Sequence, residues 1–237
     1  MPAAAAALPA PRLSVVVLAY DEERSVRTVA LAILAELRRL GVSWELLIVD
    51  DGSTDRTGAI AEELAAANPG VRVIHHGGNL GLGGGYRTGF AHARGEYLTF
   101  FPADGQFPET IIGDFLARMG PCDMVLGYLP DRRGSLVAKG LSWAERLLYR
   151  VLLGPMPRFQ GILMFRRTLL DELPLRSSGR GWAVLMELIL RAARGRYRLV
   201  SVPTASRARM AGTSKVNNLR TIRANLVQLV ALRKLIE

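Results

Sequence analysis

The 237-residue sequence predicts a single α/β domain built on a doubly wound, mostly parallel sheet. Three observations carry that expectation. Continuous runs rich in Val, Leu and Ile recur, as in strands buried on both faces. Segments with helical apolar spacing separate them, joined by short links rich in turn and capping residues. Carboxylates cluster just after several of the runs, at the strand carboxyl ends where ligands bind in such sheets.

LSVVVLA, after Arg12, reads as the first buried strand. Residues 24–40 place Val26, Val29, Ile33, Leu34 and Leu37 at helical spacing, and Gly41 ends that helix. WELLIVD is the second strand, and GSTDRT leads into a helix over about 56–67. VRVIHH is the third strand, and GGNLGLGGG opens a helix reaching about residue 93. EYLTFF is the fourth strand, followed by PADGQFPE and a helix near 109–118; DMVLGY is the fifth. Residues 135–154 read as a helix, GILMFRR as a short strand, GWAVLMELILRAAR as a helix and YRLVSVP as a last strand. SRARMAGTSKVNN is a polar, basic loop, and residues 217–237 form a terminal helix. Residues 1–12 read as a flexible tail, because Pro2, Pro9 and Pro11 interrupt a stretch without the charged start of a signal peptide.

Charge is segregated along the chain. The formal net charge is +10, but residues 1–131 hold 10 basic and 16 acidic side chains, against 21 and 5 in residues 132–237. Such asymmetry points to an anionic partner: nucleic acid, membrane or phosphate. A general bias towards Arg (28 Arg, 3 Lys) raises the total without explaining the segregation. An apolar content of 49% excludes disorder, and no apolar run approaches the roughly 20 residues of a spanning helix. The lone Cys122 excludes an internal disulfide and fits a reducing, cytoplasmic compartment. His75, His76 and His92 lack the spaced partners of a zinc site, so surface or turn roles are expected.

Three places carry chemistry. Tyr20-Asp21-Glu22-Glu23 follows the first strand, and the Asp50-Asp51 pair ends the second. A carboxylate there can accept hydrogen bonds from a nucleobase imide or a ribose hydroxyl, while one of the pair caps the next turn. Asp104, beyond the fourth strand, is placed either to hold a divalent cation against a diphosphate or to serve as an ordinary turn Asp before Gly105. The glycine stretch misses the GxGxxG dinucleotide spacing, since Tyr86 stands where the third glycine belongs. It is expected to give close packing and a tight helix entrance, or backbone N–H groups near a phosphate.

In their order, LSVVVLAYDEE, LLIVDDGSTDRT, NLGLGGGYRTGFAHARGEYLTFFPADGQFPE and SRARMAGTSKVNN resemble the motifs of family 2 glycosyltransferases. The branch they look most like is the dolichol- and polyprenyl-phosphate glycosyltransferases, over about residues 13–218. The resemblance implies a GT-A fold spanning 13–216, a nucleotide-sugar donor, Mg2+ or Mn2+ on its diphosphate, and inversion at the anomeric carbon. It implies a nucleotide-sugar pocket formed by Leu18, Ala19, Tyr20, Glu22, Val49, Asp51, Ala103, Asp104 and Gln106, with Asp51 contacting the base and Asp104 the metal. Arg209 and Lys215 match basic residues that close over the phosphates; with Asp104 they form the implied catalytic set.

The sequence departs from that family at three points. Pro102 replaces the first Asp of the Asp-Ala-Asp metal motif and offers no ligand, so a metal there would have one carboxylate fewer, plus phosphate oxygens and water; weaker or absent metal dependence is the expectation, with Arg209 and Lys215 supplying charge instead. Leu129 stands where an Arg commonly follows the fifth strand, with Arg132 and Arg133 nearby. PRFQGILMFRR offers Arg158 and Gln160 where many relatives carry an Asp. A hydroxyl acceptor needs a general base, whereas a lipid phosphate is already anionic, so the lack of a base carboxylate there favours a polyprenyl phosphate.

The helix at 135–154 bears on the lipid side. At 100° per residue, Lys139, Arg146 and Arg150 fall within roughly 20° of one line, with Trp143 beside them. That stripe suits an interfacial helix or a lipid-phosphate groove, with Gln160 on the acceptor side; it equally suits a solvated face of a helix packed through its leucines. Peripheral association with the cytoplasmic face of an anionic membrane follows from the first reading. The rival functions are transfer to a glycan or small-molecule hydroxyl, and non-catalytic nucleotide-sugar binding. Nucleic-acid binding is not expected, because no basic motif with interleaved aromatics is present.

Overall fold

The computed structural model describes residues 10–130, 150, 153–210 and 231–235. Seven strands form one sheet in the order β3-β2-β1-β4-β6-β5-β7. They are β1 (Leu13–Ala19), β2 (Trp44–Asp50), β3 (Val71–His75), β4 (Tyr97–Pro102), β5 (Met124–Tyr128), β6 (Leu163–Arg166) and β7 (Leu199–Pro203). β1 pairs in parallel with β2 and β4, β2 with β3, and β5 with β7. β6 runs antiparallel between β4 and β5.

The helices are α1 (Val26–Leu40), α2 (Thr57–Ala67), α3 (Gly81–His92), α4 (Ile111–Leu116), α5 (Thr168–Glu172) and α6 (Ala183–Arg194). The first starts two residues later than its apolar spacing alone suggests. Residues 22–25 form a turn instead, in which the Ser25 and Val26 N–H groups donate to the Glu22 carbonyl. α4 is likewise shorter than 109–118, running from Ile111 to Leu116 with Thr110 at its N-cap and Ala117 at its C-cap.

Alternation along the strands builds two cores. Val15 and Val17 of β1 face one side with Ile33, Leu34 and Leu37 of α1, Ile60 and Leu64 of α2, and Phe115 of α4. Val16 faces the other, with Tyr86 of α3 and Val184, Leu188 and Ile189 of α6. Burying both faces is what makes the strand sequences continuously apolar.

From the predicted helix at 135–154, only Arg150 and the buried Leu153 fall among the described helical residues; Arg150 is exposed. Lys139, Trp143 and Arg146 lie outside them, as do Arg132, Arg133 and Lys215. From the terminal helix, Leu232 is fully buried in the second core, and the Leu235 carbonyl accepts a bond of 2.7 Å from Arg191.

Candidate nucleotide-sugar site

The carboxyl ends of β1, β2 and β4 lie side by side, and their ladders continue one step past the strands. The Asp51 N–H donates to the Ala19 carbonyl at 2.8 Å, and the Ala103 N–H to the Leu18 carbonyl at 3.0 Å. Those bonds fix where the three acidic loops start. The first two interlock: Ser53 and Thr57 hydroxyls accept from the Asp21 and Glu22 N–H groups, and Thr54 N–H donates to Asp21 Oδ1 at 2.8 Å. Among the described residues Asp21 is the single non-glycine with positive φ, at 50°. Side-chain bonds to the facing loop hold it in that uncommon conformation.

Pro102 closes β4 where a missing N–H costs nothing in the sheet, since β6 pairs with β4 only as far as Thr99. The next turn needs Gly105, whose φ is +74° and whose Cα faces Met210. That contact brings the segment after β7 alongside the turn: Arg207 N–H donates to the Gln106 carbonyl at 2.7 Å and Met210 N–H to the Asp104 carbonyl at 3.1 Å. Arg209 is thereby delivered between two loops. Its Nη2 lies 2.9 Å from Asp104 Oδ2 and 3.3 Å from Glu22 Oε1. The other oxygens are also engaged: Asp104 Oδ1 accepts the Gln106 N–H at 3.0 Å, and Glu22 Oε2 the Ser25 hydroxyl at 2.8 Å. Arg209 Nε is buried without an acceptor.

The Asp50-Asp51 pair divides its work. Asp50 Oδ1 takes the Ser53 N–H at 3.1 Å, which is the turn-capping role, and Oδ2 takes His75 Nδ1 at 2.8 Å. Burial pushes the Asp50 carboxyl up, but bonds from Ser53 and His75 outweigh it and hold the group below the ordinary carboxylate range. Bonds to Asp50 and then Glu62 raise the His75 pKa. Asp51 accepts His76 Nδ1 at 2.7 Å and the Leu80 and Gly81 N–H groups at 2.8 Å each, tying β2 and β3 to the start of α3. His76 Nε2 meets Thr88 Oγ1 at 2.7 Å, and its side chain is only 7% exposed. Of the surface or turn role expected for His76, the surface part is corrected: Asp51, one strand away, holds the imidazole inward. Its position in VRVIHH beside a paired Asp-Asp strand was the available signal.

The glycine stretch is a packing device. Gly83 N–H donates to the Arg180 carbonyl at 2.8 Å, and a Cβ there would lie 2.1 Å from the Gly179 carbonyl oxygen. Arg87 and Arg180 side chains strengthen the contact through the Gly179 carbonyl and Asn79. With the Leu80, Gly81 and Gly83 N–H groups already bonded, these amides are not free to cradle a phosphate. The docked loop is itself anchored by Glu187, 0% exposed, which accepts the Arg176 and Ser177 N–H groups and the Arg191 guanidinium.

The remaining predicted positions separate by burial. Tyr20, Leu18 and Gln106 are partly exposed, whereas the Val49, Ala19 and Ala103 side chains are 1–3% exposed and sit in the cores. Gln160 joins the neighbourhood through its backbone: its N–H donates to the Gly127 carbonyl at 2.7 Å, and Gly161 beside it packs on Phe107 of the Asp104 loop. Arg158 lies over the Tyr128 ring. A cavity of about 410 Å³ opens at the opposite ends of the strands, lined by Arg12, Arg94, Glu96 and Arg166, and contains none of these groups.

As arranged, the residues do not fit a bound divalent cation. Pro102 supplies no side-chain oxygen, Asp104 is paired with Arg209, and among the described residues no three His, Cys, Asp or Glu side chains converge. A cation on Asp104 would sit beside a guanidinium at a cost on the order of several kcal/mol.

The chain is 30% identical to an undecaprenyl-phosphate mannosyltransferase of Micrococcus luteus, covering 87% of this chain and 88% of that one. It is also 30% identical to a polyprenol monophosphomannose synthase of Mycolicibacterium smegmatis, over 88% and 82%. Among solved structures, glucosyl-3-phosphoglycerate synthase from Mycobacterium tuberculosis, in complex with UDP, aligns with a TM-score of 0.68 at 21% identity, covering 94% of this chain and 80% of that one. That likeness supports the GT-A-like arrangement of the sheet. The family described as Glycosyl transferase family 2 matches residues 14–173. Motif order, sheet topology and these matches agree, and the chain belongs to glycosyl transferase family 2.

Proposed function

We propose that the protein is a glycosyltransferase that moves a sugar from a nucleotide-sugar donor to a polyprenyl phosphate. The carrying observation is the meeting of Glu22, Asp104 and Arg209 at the carboxyl ends of β1 and β4, beside Asp51 at the end of β2. Support for the acceptor comes from the two relatives, both named for sugar transfer to polyprenyl phosphates and similar over most of both chains. Mannose is therefore the first sugar to test.

The chemistry follows from the charges. An oxygen of the acceptor phosphate attacks the anomeric carbon as the bond from that carbon to the donor diphosphate breaks, with inversion. The phosphate is already anionic, so no residue has to remove a proton. Negative charge grows on the departing nucleoside diphosphate, and Arg209 stands where a cation stabilises it; Lys215 is its proposed companion. Tyr20, Asp51 and Gln106 are assigned to the nucleotide sugar, with Leu18, Ala19, Val49 and Ala103 shaping the floor through backbone and packing. Gln160, the basic stripe of Lys139, Arg146 and Arg150, and the adjoining Trp143 are assigned to the lipid phosphate. Among the described residues no helix is long and apolar enough to cross a membrane. The lipid-phosphate acceptor and the basic stripe are the grounds on which we assign the enzyme to the cytoplasmic membrane surface as a peripheral protein.

The test is a screen of nucleotide sugars for transfer to a short polyprenyl phosphate, with anionic vesicles for a separate flotation assay. Product with the lipid phosphate supports the reading. Transfer only to hydroxyl acceptors, or nucleotide binding without turnover on any acceptor, overturns it. Failure to float at low salt overturns the membrane assignment alone.

A further inference from the structure

We propose that the donor diphosphate is held by Arg209 in place of a divalent cation, and that Glu22 and Asp104 are positioning residues for that guanidinium. The inference rests on the nucleotide-sugar reading above. Solved relatives of this fold hold Mn2+ together with a nucleotide sugar, as in a structure of the M. tuberculosis synthase with Mn2+ and UDP-glucose. In this chain Pro102, the position that the resemblance aligns with the start of the metal motif, carries no carboxylate. Both oxygens of the one that remains have a partner: Asp104 Oδ1 accepts the Gln106 N–H, and Oδ2 is ion-paired with Arg209 Nη2 at 2.9 Å.

Three further features make the guanidinium a fixed part of the site. Glu22 grips the same Nη2 at 3.3 Å, so two loops from different strands aim one side chain. The backbone bonds from Arg207 and Met210 to the Gln106 and Asp104 carbonyls seat Arg209 from both sides. Nη2 is the atom ion-paired with both carboxylates, and Nε is buried without an acceptor. A buried donor left unpaired is costly, and one that persists beside a ligand site is explained when the ligand supplies the acceptor. A phosphate oxygen is an acceptor of the right kind, and guanidinium binds phosphate through paired N–H groups.

The experiment is calorimetric titration of the full chain with UDP and GDP, in chelator and in excess Mn2+, with bound Mn2+ followed by electron paramagnetic resonance. The expected result is an affinity that changes by less than about twofold between chelator and Mn2+, with no protein-bound Mn2+ signal. Arg209→Ala should weaken nucleotide binding at least about tenfold in both conditions, as expected for charge-assisted bonds to an anion. Asp104→Asn should weaken it less, and equally with and without metal. Pro102→Asp should make binding tighter in Mn2+ than in chelator and bring up the bound-metal signal. Wild-type binding that requires Mn2+, or a bound-Mn2+ signal with nucleotide present, would overturn this inference while leaving the donor reading intact. No nucleotide binding under either condition would overturn both.

Discussion

Glu187 and Asp104 are both buried acids with an arginine beside them, yet they are held in opposite ways. Glu187 takes two backbone N–H groups from residues 176–177 and a guanidinium four residues along its own helix. Each donor is fixed by local structure, so the carboxylate joins the 176–182 loop to α6 and, through that loop, seals the entrance of α3. Asp104 takes one N–H from its own turn, while its second partner, Arg209, arrives from a distant segment and keeps a buried donor unused. A carboxylate whose partners are all local is part of the framework. One whose partner comes from a distant segment and is shared with a second carboxylate fits the donor site proposed above.

That contrast can be broken from either side. Glu187→Ala leaves two N–H groups and a half-buried guanidinium without their acceptor, and should lower unfolding free energy by about 3 kcal/mol in urea denaturation. A loss below about 1 kcal/mol would show that the loop is held by other means. Arg209→Ala removes the proposed transition-state cation and should cut turnover by about 10²–10³; it also leaves Asp104 and Glu22 without their cation, so a fall in melting temperature accompanies that loss. A large fall in stability with turnover preserved would move Arg209 to the framework side.

His76→Ala tests an intermediate case, because Asp51 has both framework bonds and an assigned base contact. The loss of one charge-assisted bond to Asp51 should raise KM for the donor by about tenfold and leave kcat nearly unchanged. Equal falls in kcat and kcat/KM would instead tie His76 to the chemical step.

The smallest effect belongs to His75 and Asp50. The His75 pKa is raised from 6.5, so its contribution is present below that value and lost as pH rises through the raised one. The Asp50 pKa is lowered from 3.8, so its contribution is present above that value and lost as pH falls through the lowered one. The pair therefore stabilises between about pH 4 and somewhat above 6.5. His75→Asn should lower melting temperature slightly within that window and converge with wild type above pH 8. An equal difference at all pH values would show that the ion pair contributes nothing.

Much of this was legible in residue order. LSVVVLA, WELLIVD and EYLTFF are too continuously apolar to be anything but strands buried on both sides, and the acids that follow them stand at the ligand-binding ends. The direction of β6 was not legible. A four-residue strand carries no mark of whether its connection crosses the sheet or turns back, and LMFR pairs antiparallel with both neighbours. The purpose of the glycine stretch was half legible: close packing was expected, but the 176–182 loop that requires it lies some ninety residues away.

What the sequence determined by itself was therefore the alternating α/β plan, the acidic ends of β1, β2 and β4, and the gathering of positive charge in the second half. These follow from periodicity, composition and order, which act over a few residues at a time. Only the tertiary structure decided that Asp51 is gripped by His76 and the start of α3, and that Arg209 reaches Glu22 across 187 positions of chain. Contacts of that span depend on the closure of β7 against β5 and of the 204–210 segment along the Asp104 turn. Local pattern cannot encode them, because the free energy that selects them comes from burying both sheet faces at once.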